Sequence, residues 1–330
     1  MNTKTDNPDT AAVARPTNSR RAVHYLRTFG VVWVTLLLFL GLTVQTDNFL
    51  SADNLRNILD QQSTVLIVAA FATLVLIAGG FDVSLSAIYV LSPLVALRVE
   101  NATGSVALTV LAGVATGLLC GVVNGLVVSI GRINSFIATL ATSFIFFGFA
   151  YLVSGSSIMR PSDLAIREIA ATRWLGVTTA TWLSLVAVAI AWVLLERSRF
   201  GRYVFAAGGN AEAARLAGVP VERVQAMTFA LAGLAAGLAG TLNAARTLTA
   251  QAADDFTLVF GVIAAIVVGG TSIAGGAGAV WRSVIGVFFI ALLVNGFNLN
   301  GVDPIYQRII QGTVILAAVG IDAWSRARRT

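Results

Sequence analysis

The chain has 330 residues, 57% apolar and 12% charged, whereas ordinary soluble domains run about 45–50% apolar and about 25% charged. Its 22 basic and 16 acidic side chains are too few to coat a soluble protein of this length, so the composition points to a membrane protein. With one Lys (Lys4), one His (His24) and one Cys (Cys120), the raw material is missing for a disulfide, a multi-His or multi-Cys metal site, Ser-His-Asp catalysis in the body of the chain, or a phosphate-cradling loop of the Walker type. The net charge of +6 fits Arg side chains facing anionic lipid, and no basic run is interleaved with aromatics as single-strand nucleic-acid binders require.

Residues 1–27 are rich in Asn, Thr, Asp and Ala without an apolar period and read as a disordered cytoplasmic leader. A spanning helix needs about 20 mostly apolar residues. Charge-free stretches at 28–46, 61–81, 83–97, 101–131, 133–159, 174–195, 224–245, 256–281, 283–302 and 309–321 therefore give about ten transmembrane helices in an all-α polytopic protein. With the N-terminus inside, 15 Lys and Arg lie on the cytoplasmic side and 7 outside, which favours an N-in, C-in orientation. Residues 326–330 form a basic cytoplasmic tail.

Residues 47–60 read as an interfacial lead-in to the second helix, capped by Ser51 or Asp53, with Leu55, Ile58 and Leu59 on one face. Next come Gly79, Gly80, Asp82 and Ser84, a glycine break followed by an isolated acid. Asp82 is either a pathway residue or a cap accepting N–H bonds from Ser84 and Leu85. The external loop 160–178 puts Ile166, Ile169 and Ala170 on one face, with Trp174 at the headgroup level, as a lead-in or a docking surface. A second glycine break follows later, at Gly269, Gly270 and Thr271, continuing to Gly275, Gly276 and Gly278. Such breaks expose backbone polar groups, tolerable at membrane depth only beside protein or a wet cavity. Asn124, Asn243, Asn295 and Asn298 either line a path or join helices by hydrogen bonds.

The longest internal polar stretch, 196–224, holds eight charges. Asn210 caps a short helix over Ala211–Ala217, Gly218 ends it and Pro220 blocks its continuation. That element is either a solvated connector or a plug for a partner's groove.

At this point a resemblance becomes specific. Arg199-Phe200-Gly201-Arg202, then Gly208-Gly209-Asn210-Ala211-Glu212-Ala213-Ala214-Arg215-Leu216-Ala217-Gly218-Val219, resembles the cytoplasmic loop of ribose-type permeases of bacterial ABC importers. Gly79 to Ser84, Phe136 to Leu140, Gly269 to Ser272, Gly275 to Gly278 with Trp281, Asn295-Gly296 and Val302 to Asp322 are similar as well, covering roughly residues 28–325 in order. Departures fall at Ser86, Ser135, Ala141 and Arg282, where relatives often carry glycine or, near Ser135, proline.

The resemblance implies the ABC importer transmembrane-domain fold, with 28–325 as the permease domain and 196–224 as its coupling loop. It further implies a monosaccharide or small polyol as cargo, delivered by a periplasmic sugar-binding protein. A cytosolic ABC ATPase would carry the ATP and Mg, so this chain is non-catalytic, has no metal and binds no cofactor of its own. A second permease copy or a sister permease would complete the pore in the bacterial inner membrane. Gly208, Gly209, Asn210, Glu212, Ala213, Arg215, Leu216 and Gly218 would meet the ATPase. Gly79, Gly80, Asp82, Ser84, Asn124, Gly269, Gly270, Thr271 and Asn295 are the candidates for the path. The competing readings are a branched-chain amino acid ABC permease and an ion-coupled secondary transporter. The latter should carry several acids inside its spans, and only Asp82 stands isolated there.

Overall fold

The computed structural model describes residues 30–327; the expected leader and most of the expected tail lie outside the described residues. The chain is almost wholly helical. In order run α1 (Gly30–Gln45), α2 (Ala52–Ile77), α3 (Leu85–Thr103), α4 (Val106–Ser129), α5 (Ser135–Ser154) and, after a 3-10 turn at Leu164–Arg167, α6 (Glu168–Ala171). A hairpin of β1 (Arg173–Trp174) and β2 (Val177–Thr178) follows, pairing antiparallel across Leu175 and Gly176, both at positive φ. Then come α7 (Thr179–Glu196), α8 (Arg199–Gly209), α9 (Ala211–Leu216), α10 (Val221–Thr247), α11 (Thr257–Val268), α12 (Val280–Leu299) and α13 (Pro304–Ala327).

Each charge-free window holds one helix. Among the described residues, α2, α3, α4, α5, α7, α10 and α12 are long and apolar enough to cross a membrane. Polar residues set several starts: Ser51 accepts from Asn54 N, Asn134 from Phe136 N and Ile137 N, and Thr178 from Thr181 N. The expected lead-in at 47–60 is not a separate piece, because Ser51 caps a helix that continues unbroken to Ile77. The window 256–281 departs most from expectation. Its helix α11 has 12 residues, about 18 Å at 1.5 Å per residue, against a hydrocarbon core of about 30 Å. It starts level with the first turn of α3, where Ser86 Oγ accepts from Val259 N at 3.0 Å.

Helices α2, α3 and α10 form the buried centre, while α4, α5 and α7 turn much of their surface outward. Leu119, Ile137, Leu152 and Ile190 on those outer faces are exposed, as lipid-facing residues would be and as a soluble surface would avoid. The tightest contact is α4 on α10. Gly113, Gly117, Gly121 and Gly125 recur every fourth residue along α4 and meet Thr241, Gly237, Gly233 and Ala226 of α10. A Cβ on Gly117 would sit 2.7 Å from the Cα of Gly237 and overlap the carbonyl oxygen of Gly233. Two helices whose backbones touch in this way are held by van der Waals packing, which does not require a hydrophobic driving force in lipid.

Candidate coupling site and translocation path

The 196–224 segment is two helices, where the sequence reading saw one. Ser198 Oγ accepts from Gly201 N and starts α8, an amphipathic helix with Val204 and Ala207 buried. Asn210 then ends α8 and starts α9, its side chain accepting from Ala213 N at 2.9 Å. Gly218, at φ +82°, stops α9. Ala214 is the buried anchor of α9, and Leu216 is 84% exposed on its other side. Glu212, Ala213 and Gly218 are exposed with it.

Arg215 does not reach outward freely. It bonds Glu222 at 2.7 Å and Glu212 at 3.2 Å, tying α9 to the first turn of α10. The hydrogen bond that Arg215 donates to Glu222, with the neighbouring carboxylates, raises its pKa, so the guanidinium stays charged.

Three of the four glycine pairs, Gly79-Gly80, Gly208-Gly209 and Gly275-Gly276, converge. Gly79 and Gly270 end α2 and α11 in the same way, each at positive φ, with Gly80 N reaching back to Val75 O and Thr271 N to Ile266 O. The backbone of Gly208 lies against Ile77 O, leaving no room for a side chain. A Cβ on Gly275 would fall 2.9 Å from the Cα of Gly79, and one on Gly276 would fall 2.7 Å from the Cα of Gly209. Gly276 N donates to Ile77 O at 2.9 Å. Gly208 therefore faces inward, joining α8 to both helix breaks, while Gly209 and Asn210 are exposed beside it. No sequence spacing could show this, because the three segments lie far apart in the chain.

Beside this junction opens a cavity of about 550 Å3. Gly79, Gly80, Ser129, Arg132, Ser135 and Gln225 line it, and Glu212, Arg215 and Glu222 form its charged side. Asp82, two residues on from Gly80 of this lining, is buried. Its Oδ1 accepts from Ser84 N at 2.9 Å and from Ser84 Oγ at 2.6 Å, and not from Leu85. Ser84 Oγ in turn accepts from Asn124 Nδ2, and Asn124 Oδ1 accepts from Thr142 Oγ1. Asp82, Ser84 and Asn124 thus form one buried chain of hydrogen bonds joining the 78–84 loop to α4 and α5. The loop is pinned again by Ser135 Oγ, which accepts from Phe81 N, and by Thr139 Oγ1, which accepts from Val83 N.

The remaining path candidates are dispersed. Gly269 packs against the backbone of Arg282, and Gly270 has open space around it. Thr271 is buried with an unpaired Oγ1 among the described residues. Asn295 pairs with Asn54 through reciprocal amide bonds of 3.1 and 2.8 Å, fastening α12 to the first turn of α2. Sequence reading missed Asp60 entirely, having used it only to bound a window. Its carboxylate accepts from Thr178 and Thr181 and lies 3.7 Å from Arg173, while Arg246 donates to its main-chain oxygen. Among the described residues no three His, Cys, Asp or Glu side chains gather as a metal site would need.

A family model described as "Branched-chain amino acid transport system / permease component" matches residues 54–319. That range takes in the glycine junction, α8, α9 and the spans around them. The chain belongs to this permease family. Ribose import permease protein of Escherichia coli is 36% identical to it over 294 residues, covering 87% of this chain and 91% of that protein. L-arabinose ABC transporter permease protein of Azospirillum brasilense is 33% identical, covering 100% and 97%. Galactose/methyl galactoside import permease protein of Escherichia coli is 34% identical, covering 94% and 98%. No solved structure matches the chain significantly. The permease is a membrane protein with seven candidate spans among its described residues.

Proposed function

We propose that this permease is the membrane subunit of an ATP-driven importer in the bacterial cell membrane. It moves a monosaccharide or related polyol handed over by an external sugar-binding protein. The full-length likeness to ribose, arabinose and galactose permeases supports sugar over branched-chain amino acid as cargo. In this reading ten segments cross or enter the bilayer, both termini are cytoplasmic, and a second permease, identical or a sister chain, completes the pore.

The observation that carries the coupling role is Leu216. A leucine this exposed on a two-turn helix, beside Glu212, Ala213 and Gly218, is a knob for a groove on another protein. The salt bridges of Arg215 fix α9, and the glycine junction passes its displacement to the ends of α2 and α11. A separate ATPase binding and hydrolysing ATP would then rock these helices between two arrangements of the pore. Gly79, Gly80, Gly269, Gly270 and Thr271 act as turning points next to the path. Asp82, Ser84, Asn124 and Asn295 hold its walls together.

The test is co-expression with a candidate ABC ATPase from the same genome. Leu216→Asp should abolish ATPase co-purification and sugar uptake while the permease still reaches the membrane. A wild-type protein that retains no ATPase, or whose uptake follows a proton or sodium gradient without ATP, would overturn the proposal.

A further inference from the structure

A second hollow, of about 280 Å3, lies between α3 and the end of α10 farthest from α9. Its size is just under the about 300–1,000 Å3 of typical small-ligand clefts. The lining is uncharged: Tyr89 and Pro93 from α3, Gly240, Asn243 and Thr247 from α10, and Gln251 beyond it.

Three features make this more than a groove. Pro93 sits inside α3 and has no N–H, so the Tyr89 carbonyl loses its helix partner. Gly240 lets that carbonyl stand against α10, since a Cβ there would overlap Tyr89 O. Freed backbone at membrane depth persists only beside protein or a wet cavity. The second feature is Asn243, whose Oδ1 is taken by Arg246 at 3.0 Å while its Nδ2 has no partner among the described residues. The third is Tyr89, whose hydroxyl has only a long 3.5 Å contact to Thr64, leaving it able to turn toward a ligand.

We infer that this hollow is a transient binding site for an uncharged monosaccharide on its way through the permease, an inference that rests on the function proposed above. The Tyr89 carbonyl and Thr247 hydroxyl accept from sugar hydroxyls, the Asn243 and Gln251 amides donate, and the Tyr89 ring faces sugar C–H groups. A zwitterionic amino acid finds no charged partner in this lining. The contacts are few, so the sugar binds weakly enough to leave.

The experiment uses the full-length permease in lipid nanodiscs and saturation-transfer NMR with D-ribose, D-xylose, L-arabinose, D-galactose and L-rhamnose, each separately, and L-leucine. Wild-type protein should transfer saturation to the C–H protons of at least one sugar and not to leucine. Asn243→Leu, Tyr89→Phe and Gly240→Leu should each weaken the signal, the two leucine variants about tenfold, while Gly148→Ala, in open space on α5, leaves it unchanged. The inference falls if no sugar gives a signal, if leucine gives the stronger one, or if the variants match wild type.

A parallel uptake assay with the partner ATPase and binding protein separates the two readings. Variants importing with unchanged kcat/KM beside an importing wild type sink the hollow alone. A wild type that imports no sugar sinks the permease reading and this role with it.

Discussion

Asp82 is the only acid isolated between the apolar windows, and its surroundings decide what it does there. One carboxylate oxygen takes both polar hydrogens of Ser84, and the other has no partner among the described residues. An asparagine would keep the first interaction and place a neutral amide where the second oxygen stands without a countercharge. We therefore expect Asp82→Asn to transport within about threefold of wild type, whereas Asp82→Ala, which strands buried hydrogen-bonding groups of Ser84, loses about tenfold or more. Initial uptake rates in proteoliposomes would check this, and an inactive Asn variant would show that the ionisable carboxylate itself is needed in the path. Two departures from the family's pattern are serines that bind backbone. Ser86 receives Val259 N, and Ser135 receives Phe81 N. Each fastens one segment to another where a glycine or proline side chain could not accept a bond.

At the scale of elements, the α4–α10 pair sets how closely the centre packs. A methyl at Gly117 meets backbone atoms at 2.7 and 2.9 Å, and backbone cannot swing aside as a side chain end can. Gly117→Ala should therefore cost about 1–3 kcal/mol through overpacking. Gly148→Ala on α5, with nothing within 4 Å, should cost nothing measurable. Thermal unfolding of the two purified variants in the same detergent would compare them, and equal midpoints would contradict the packing account. The fourfold glycine repeat at Gly113, Gly117, Gly121 and Gly125 was present in the sequence, and its period alone could have marked α4 as a packing face. Helix α8 was hidden for a different reason. Its glycines and arginines resemble a connector, and its helical state depends on burying Val204 and Ala207 against other elements.

For the whole molecule, the proposed coupling would run through the glycine junction, where α8 meets the end of α2 and the 275–276 turn. Gly276, at φ +71° and pressed on Gly209, accepts no side chain without moving α8. We expect Gly276→Val to keep the permease in the membrane and the ATPase bound, but to separate ATP hydrolysis from uptake. Measuring both rates in one reconstituted preparation would show it; coupled rates equal to wild type would mean that α9 acts through another contact.

The residue sequence determined that the chain is a membrane helical protein, where helices such as α1 and α10 begin and end to within a few residues, and which short helix stands out between spans. Those properties follow from local rules: apolar run length, charge exclusion from lipid, and capping chemistry along a continuous chain. Only the tertiary structure decided that α11 is too short to cross, that Asn295 serves Asn54, that Arg215 is engaged by two carboxylates, and that three glycine pairs meet at one point. Those facts concern residues brought together across many helices, and the pairing of faces depends on which packing lets backbones approach. A glycine records permission for such an approach, but its partner is known only once the chain has folded.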